Sequence, residues 1–220
     1  MAISKLNYNS LNVTPSANQA IGFDSGADDL ETGAGGGSMK FIKKVTASSD
    51  STISFVDGTS DVVLDNTYKE YVFIFKDIHP ATNNADLTFQ GNAAGGSGFD
   101  ETITNTVFFA QHAEDASYAA VAYSTGRDQA QSTDFADLSM SITNDNDGCA
   151  AGYLHLFNPS STTFITHFIS NTNTIMSGTG YSTNMYTAGY FNTTSAIDEI
   201  QFKMSSGNID AGTITLYGIS

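Results

Sequence analysis

The chain has 220 residues, long enough for one large domain with a tail and for a core that needs neither disulfide nor metal. Charged residues make up only 14%, yet 23 acidic side chains against 8 basic ones leave a net charge of −15. A surface of that sign repels phosphates and argues against direct nucleic-acid binding, and no window approaches the ~18 consecutive apolar residues of a membrane helix.

The first 38 residues show no sustained period of two or of 3.6, and they end in the flexible run Gly33-Ala34-Gly35-Gly36-Gly37-Ser38. They read as an extended N-terminal arm and linker over 1–38, ahead of a β domain over 39–220. Ile3, Leu6, Leu11, Val13, Ile21 and Phe23 are spaced along the arm as candidate anchors, either for a partner or for the chain's own domain. Asp24, Asp28, Asp29 and Glu31 form an acidic cluster there, solvated or facing a basic partner. The opening Met1-Ala2-Ile3-Ser4-Lys5 lacks a signal peptide's apolar run, which predicts synthesis in a cytoplasm.

Strand signals then follow almost without break. Phe41–Thr46 and Thr52–Val56 come first, and Asp57-Gly58 marks a turn. Tyr71–Phe75 is apolar at every position, as expected of a strand covered on both sides. Leu87–Gln90 is the next strand. The stretch from Gly91 to about Arg127 reads as a long non-strand segment and hence a candidate contact surface. A helix is expected over Arg127–Asp137. Leu138, Met140 and Ile142 alternate with Ser139, Ser141 and Thr143, predicting a strand with one wet and one dry face.

Further strands are expected at Tyr153–Phe157, Phe164–Ile169 and Met185–Phe191. Ile200, Phe202 and Met204 mark another by alternation, and Ile214 and Leu216 mark the last. About ten short strands punctuated by Gly, Asn and Pro predict an all-β antiparallel sandwich, jelly-roll-like, with no internal repeat.

Chemical motifs are sparse. His79, His112, His155 and His167 form no metal-binding spacing, and the single Cys149 excludes an intramolecular disulfide and reads as a small buried hydrophobe. No G-x-S-x-G elbow, P-loop or dinucleotide fingerprint occurs, so no catalytic residue and no cofactor is assigned. Asn144-Asp145-Asn146-Asp147-Gly148 resembles half of a calcium loop, with Asp145 and Asp147 at the third and fifth ligand positions. Leu154 then falls where the twelfth-position carboxylate is required, so an Asx-type turn is the simpler reading. The chain has no Trp, and Tyr181, Tyr186 and Tyr190 are the rings left to support sugar stacking.

Three segments carry a family resemblance: Leu154–Phe164, Ile200–Ile209 and Gly212–Ile219, with Thr67–Phe75 and Ile78–Thr82 in support. They resemble a pattern in small virion structural proteins of tailed phages, particularly those of marine bacteria, and the likeness spans roughly Phe41 to Ser220. It implies a non-enzymatic place in the virion as capsid decoration, head-fibre, tail or adaptor component. It also implies other virion proteins as partners and a symmetric homo-oligomer, for which a trimer is the preferred expectation. The alternative function is a tail-fibre or spike head that recognises a host surface glycan or protein.

Overall fold

The computed structural model describes residues 21–23, 30–32 and 38–220. The chain divides into two compact units, 1–40 and 41–220. In the first, β1 (Ile21–Phe23) pairs antiparallel with β2 (Leu30–Thr32), Ile21 opposite Thr32. Ile3, Leu6, Leu11 and Val13 lie outside the described residues, and Ile21 and Phe23 fall within β1.

The second unit is built from β3 (Met39–Thr46), β4 (Ile53–Val56), β5 (Glu70–Pro80), β6 (Leu87–Ala93), β7 (Ile103–Ala113), β8 (Ala119–Tyr123) and β9 (Gln129–Ser132). After these come β10 (Ala136–Asp137), β11 (Ala150–Phe157), β12 (His167–Met176), β13 (Tyr181–Phe191), β14 (Ile197–Met204) and β15 (Ile209–Ile219). No helix occurs among the described residues. Nine strands form one sheet in the order β3-β15-β5-β11-β12-β13-β7-β8, with β9 also paired to β7. Four form a second sheet in the order β10-β6-β14-β4. The chain crosses repeatedly between sheets, β4 to β5 to β6 to β7 and again β13 to β14 to β15, the jelly-roll-like trait of this sandwich.

The alternation of each strand decides which side chains enter the core. Phe73 and Phe75 of β5 meet Phe202 of β14 edge-on, with ring centroids 5.1 and 5.4 Å apart. Phe89 of β6 meets Phe168 of β12 at 4.9 Å. These rings belong to one buried cluster that draws on both sheets. Tyr71 is wholly buried and donates its hydroxyl to the Asp65 carbonyl at 2.8 Å, tying the β4–β5 loop to the core. Burial pushes its pKa up to about 12.

The structure corrects four sequence expectations. The Gly91–Arg127 stretch is not a long loop, because it holds the end of β6 and all of β7 and β8. Asn105 sits among the inward residues of β7 between Ile103 and Val107, and this polar interruption hides the period of two. Arg127–Asp137 forms no helix. Gln90 of β6 donates its side-chain amide to the carbonyls of Thr133 and Asp134, and β9 and β10 pair with β7 and β6 instead. Tertiary hydrogen bonds there override a weak local preference.

Leu138–Ile142 is no half-wetted strand either. All five residues are buried, and the segment lies between β6 and β12, with Ile142 bridging both Ala85 and Met176. Ser139 sits inside because its hydroxyl accepts the Leu87 amide at 2.7 Å. The strand expected at Phe164–Ile169 begins only at His167, and Phe164 belongs to the preceding loop.

Candidate functional site

The largest feature outside the core is the outer face of the nine-stranded sheet. Register fixes which side chains share that face. Tyr123, Phe108, Tyr186, Asn171, Tyr153, Ile74 and Thr215 stand side by side across seven strands. The neighbouring row reads Thr106, Ala188, Ile169, His155, Val72 and Tyr217. The next reads Thr104, Tyr190, His167, Phe157, Glu70 and Ile219. Across these three rows Glu70 is the one acidic side chain, on a chain that carries 23.

The exposed large apolar side chains of 41–220 concentrate on the same sheet. Phe41, Phe108, Val121, Tyr123, Tyr153, Ile169, Ile175 and Tyr186 lie on its strands, and Tyr118 immediately precedes β8. Phe108 and Tyr186 stack in parallel at 4.7 Å. A contiguous apolar face of this kind is a recognised mark of an interaction surface, whereas singly scattered apolar residues are not.

Polar groups on the face are mostly amides and imidazoles. Asn171 donates to Asn184, whose own amide donates to the Tyr186 hydroxyl, both at 3.0 Å. His155 stacks on Phe157 at 4.2 Å. Its Nε2 lies 2.9 Å from a Glu70 carboxylate oxygen, within ion-pair range but off the line of a hydrogen bond. His155 is thus a half-buried and His167 an exposed strand residue of this outer face.

A depression of about 580 Å³ opens on this face. On the outward side of β13, Ala188 stands between Tyr186 and Tyr190, so one small residue leaves a gap between two large ones. Phe157, His167 and Ile169 wall the gap, and Thr104 and Thr106 edge it. Gly189 allows β13 its close approach to β7, since a β-carbon there would lie 2.4 Å from the Thr104 carbonyl oxygen.

A second constellation was not foreseen from sequence. Arg127, in the segment expected to be helical, reaches Asp86 at 2.5 Å and Asp137 at 2.7 Å, and all three side chains are largely buried. Burial, followed by the Asp86 charge, pushes the Asp137 carboxyl up to about 6 against the pull of Arg127. Two carboxylates sharing one guanidinium make a structural clamp. Asp86 also accepts the Ser141 amide, which fastens the 138–142 segment.

Asp145 and Asp147 are exposed in one turn. Asp145 accepts the Thr143 hydroxyl at 2.8 Å, and its carbonyl accepts the Gly148 amide at 2.8 Å. His79 donates Nδ1–H to the Gly148 carbonyl at 2.6 Å, pinning the turn to β5. Among the described residues no group of three or more His, Cys, Asp or Glu is placed to hold a metal ion. Cys149 is half-buried rather than fully buried, and burial raises its thiol pKa.

No family model, curated protein or solved structure matches the chain.

Proposed function

We propose that the protein is a non-enzymatic structural component of a bacteriophage particle, as capsid decoration, head-fibre, tail or adaptor, working through protein–protein contacts. The observation that carries this reading is the outer face of the nine-stranded sheet. It is broad, aromatic and nearly free of acid on a chain whose net charge is −15. Interface cores are depleted of charge and enriched in Tyr and Phe, so this is the composition of a surface meant to be covered. The resemblance of Phe41–Ser220 to small virion proteins supports the same reading.

Immuno-electron microscopy of purified particles is the test. Regularly spaced label on head or tail, with the chain at a stoichiometry fixed by particle symmetry, is expected. Chain recovered only free in the lysate and absent from washed particles overturns the reading.

A receptor-binding head for an uncharged glycan is the second reading. Exposed rings beside side-chain amides favour it, as in the Asn171–Asn184–Tyr186 ladder. It requires that purified protein bind host cells at micromolar concentration and block adsorption, and failure of both rules it out.

A further inference from the structure

We infer that copies of this chain contact one another through the outer sheet face, with Phe164 of one copy seated in the depression over Ala188 of the next. The inference deepens the reading of the chain as a multi-copy particle component and rests on it.

Shape supplies the first argument. The described chain carries both halves of a knob and hole. Phe164 stands 71% exposed on the β11–β12 loop, apart from the strand-borne apolar surface. The hole lies over Ala188 beside Tyr190, where Ala188 contributes a single methyl group, and its walls are predominantly apolar. The same hairpin that presents Phe164 also supplies Phe157 and His167 to the rim of the hole. A large apolar side chain on a loop held by its own hydrogen bonds is an inexpensive anchor. The Phe164 and Thr163 amides both donate to Ser161 Oγ, at 2.9 and 3.2 Å, so little loop entropy is left to lose.

Charge supplies the second argument, because its sparsity on this face lowers the main obstacle to a second copy as the occupant, with Asp128 at the edge engaged by the Tyr123 hydroxyl. Two copies, each at −15, repel wherever their carboxylates meet. Across three registers of the outer face the only acidic side chain is Glu70, and its carboxylate faces His155. This is the surface on which like-charged copies approach at least cost. A knob and a hole on one chain are matched either reciprocally across a two-fold axis or head to tail, the latter closing into a ring when the rotation allows.

The experiment uses the full chain. The wild-type protein is expected to sediment as an oligomer at micromolar concentration. Phe164→Ala removes the knob and Ala188→Phe fills the hole. Both sites lie outside the core, so circular dichroism should be unchanged. Each substitution should weaken association by at least about tenfold, and the double variant should be no worse than the weaker single one, because both remove the same contact.

A covalent test in a Cys149→Ser background reads the geometry of the contact with knob and hole left in place. Chains carrying Thr163→Cys beside the knob, mixed with chains carrying Thr106→Cys at the edge of the hole, should be joined by a short bifunctional thiol cross-linker into a dimer that neither forms alone. A monomeric wild type, variants that associate like wild type, or cross-linking no greater in the mixture than in its parts would each overturn the inference. Particle labelling is read separately, so an oligomer that ignores both substitutions refutes this contact while leaving the particle role standing.

Discussion

The inner face of the nine-stranded sheet is closed in two different ways. Over β5 and β15 the four-stranded sheet lies on a layer of phenylalanine, where Phe202 meets Phe55, Phe73 and Phe75 edge-on, with centroids between 5.1 and 6.2 Å. Over β12 and β13 the inward residues include Ser170, Thr172, Thr174, Thr183 and Thr187, all buried. Much of the cover there is Asp137, the last residue of β10, with the irregular 138–142 segment that follows it. The threonines hold it by donating hydroxyls to its carbonyls: Thr187 to Asp137 at 2.9 Å, Thr172 to Leu138, and Thr174 to Met140 at 3.2 Å. The backbone groups of a regular strand are paired by the neighbouring strands of its own sheet, so the first half can be sealed by area alone. An irregular segment cannot, and the second half places hydroxyls where its carbonyls need partners.

The largest effect expected from this contrast lies in the phenylalanine half. Phe202→Ala should cost about 3–5 kcal/mol of unfolding free energy, because the ring is fully buried against both sheets and a rigid layer of rings cannot collapse into the gap. Urea titration checks it. A loss of about 1 kcal/mol would mean that the two halves are equally tolerant.

A smaller effect, on the order of 2 kcal/mol, is expected from pH at the border of the other half, where Asp137 ends β10 and leads into the irregular segment. Its folded pKa of about 6 lies above the ordinary value of 3.8, so the neutral carboxyl is the form that folding favours. That contribution is fully present below about 3.8 and is lost as pH rises through about 6. Wild type should therefore gain stability relative to Asp137→Asn between pH 7 and pH 4. Reading the difference between the two proteins cancels the other carboxylates. Parallel profiles would show that the Arg127 charge fully offsets burial at this site.

The contrast also accounts for what could be read from the sequence. The phenylalanine half was legible: Ile200–Met204 and Ile214–Leu216 show their apolar periods plainly and lie on strands, and the unbroken apolar run Tyr71–Phe75 is a strand too, although Val72 and Ile74 face outward instead of meeting a second covering layer. The threonine half was not. Ser170-Asn171-Thr172-Asn173-Thr174 carries no apolar residue to mark a strand, yet its alternate members are buried, and the groups that satisfy the Thr172 and Thr174 hydroxyls are 34 residues away in the chain. The outer face was half legible. Tyr186 and Tyr190 were marked as rings for a surface, but only the register of β13 with β7 and β12 places them around Ala188 with Phe108 and Ile169. The Arg127 clamp joins residues 41 and 10 positions away, and no local pattern signals it.

The smallest effect gives the finest test of the two modes of closure. Thr172→Val keeps the shape of the side chain and removes the hydroxyl that meets the Leu138 carbonyl in a fully buried setting. The change trades a polar group for a methyl, so an area-sealed layer would accept it or gain. If hydrogen bonds seal this half, the carbonyl is left without that donor, at a cost of about 1–2 kcal/mol. Thr106→Val is the matched control on the outer face, where the hydroxyl reaches the Ala188 carbonyl at 3.4 Å in an exposed setting and water can take its place. Its stability should stay within about 0.5 kcal/mol of wild type. Unfolding curves for the two variants therefore separate the explanations. A clear gap between them means that the threonines close the sandwich by satisfying backbone, whereas equal curves mean that the second half is held by contact area like the first.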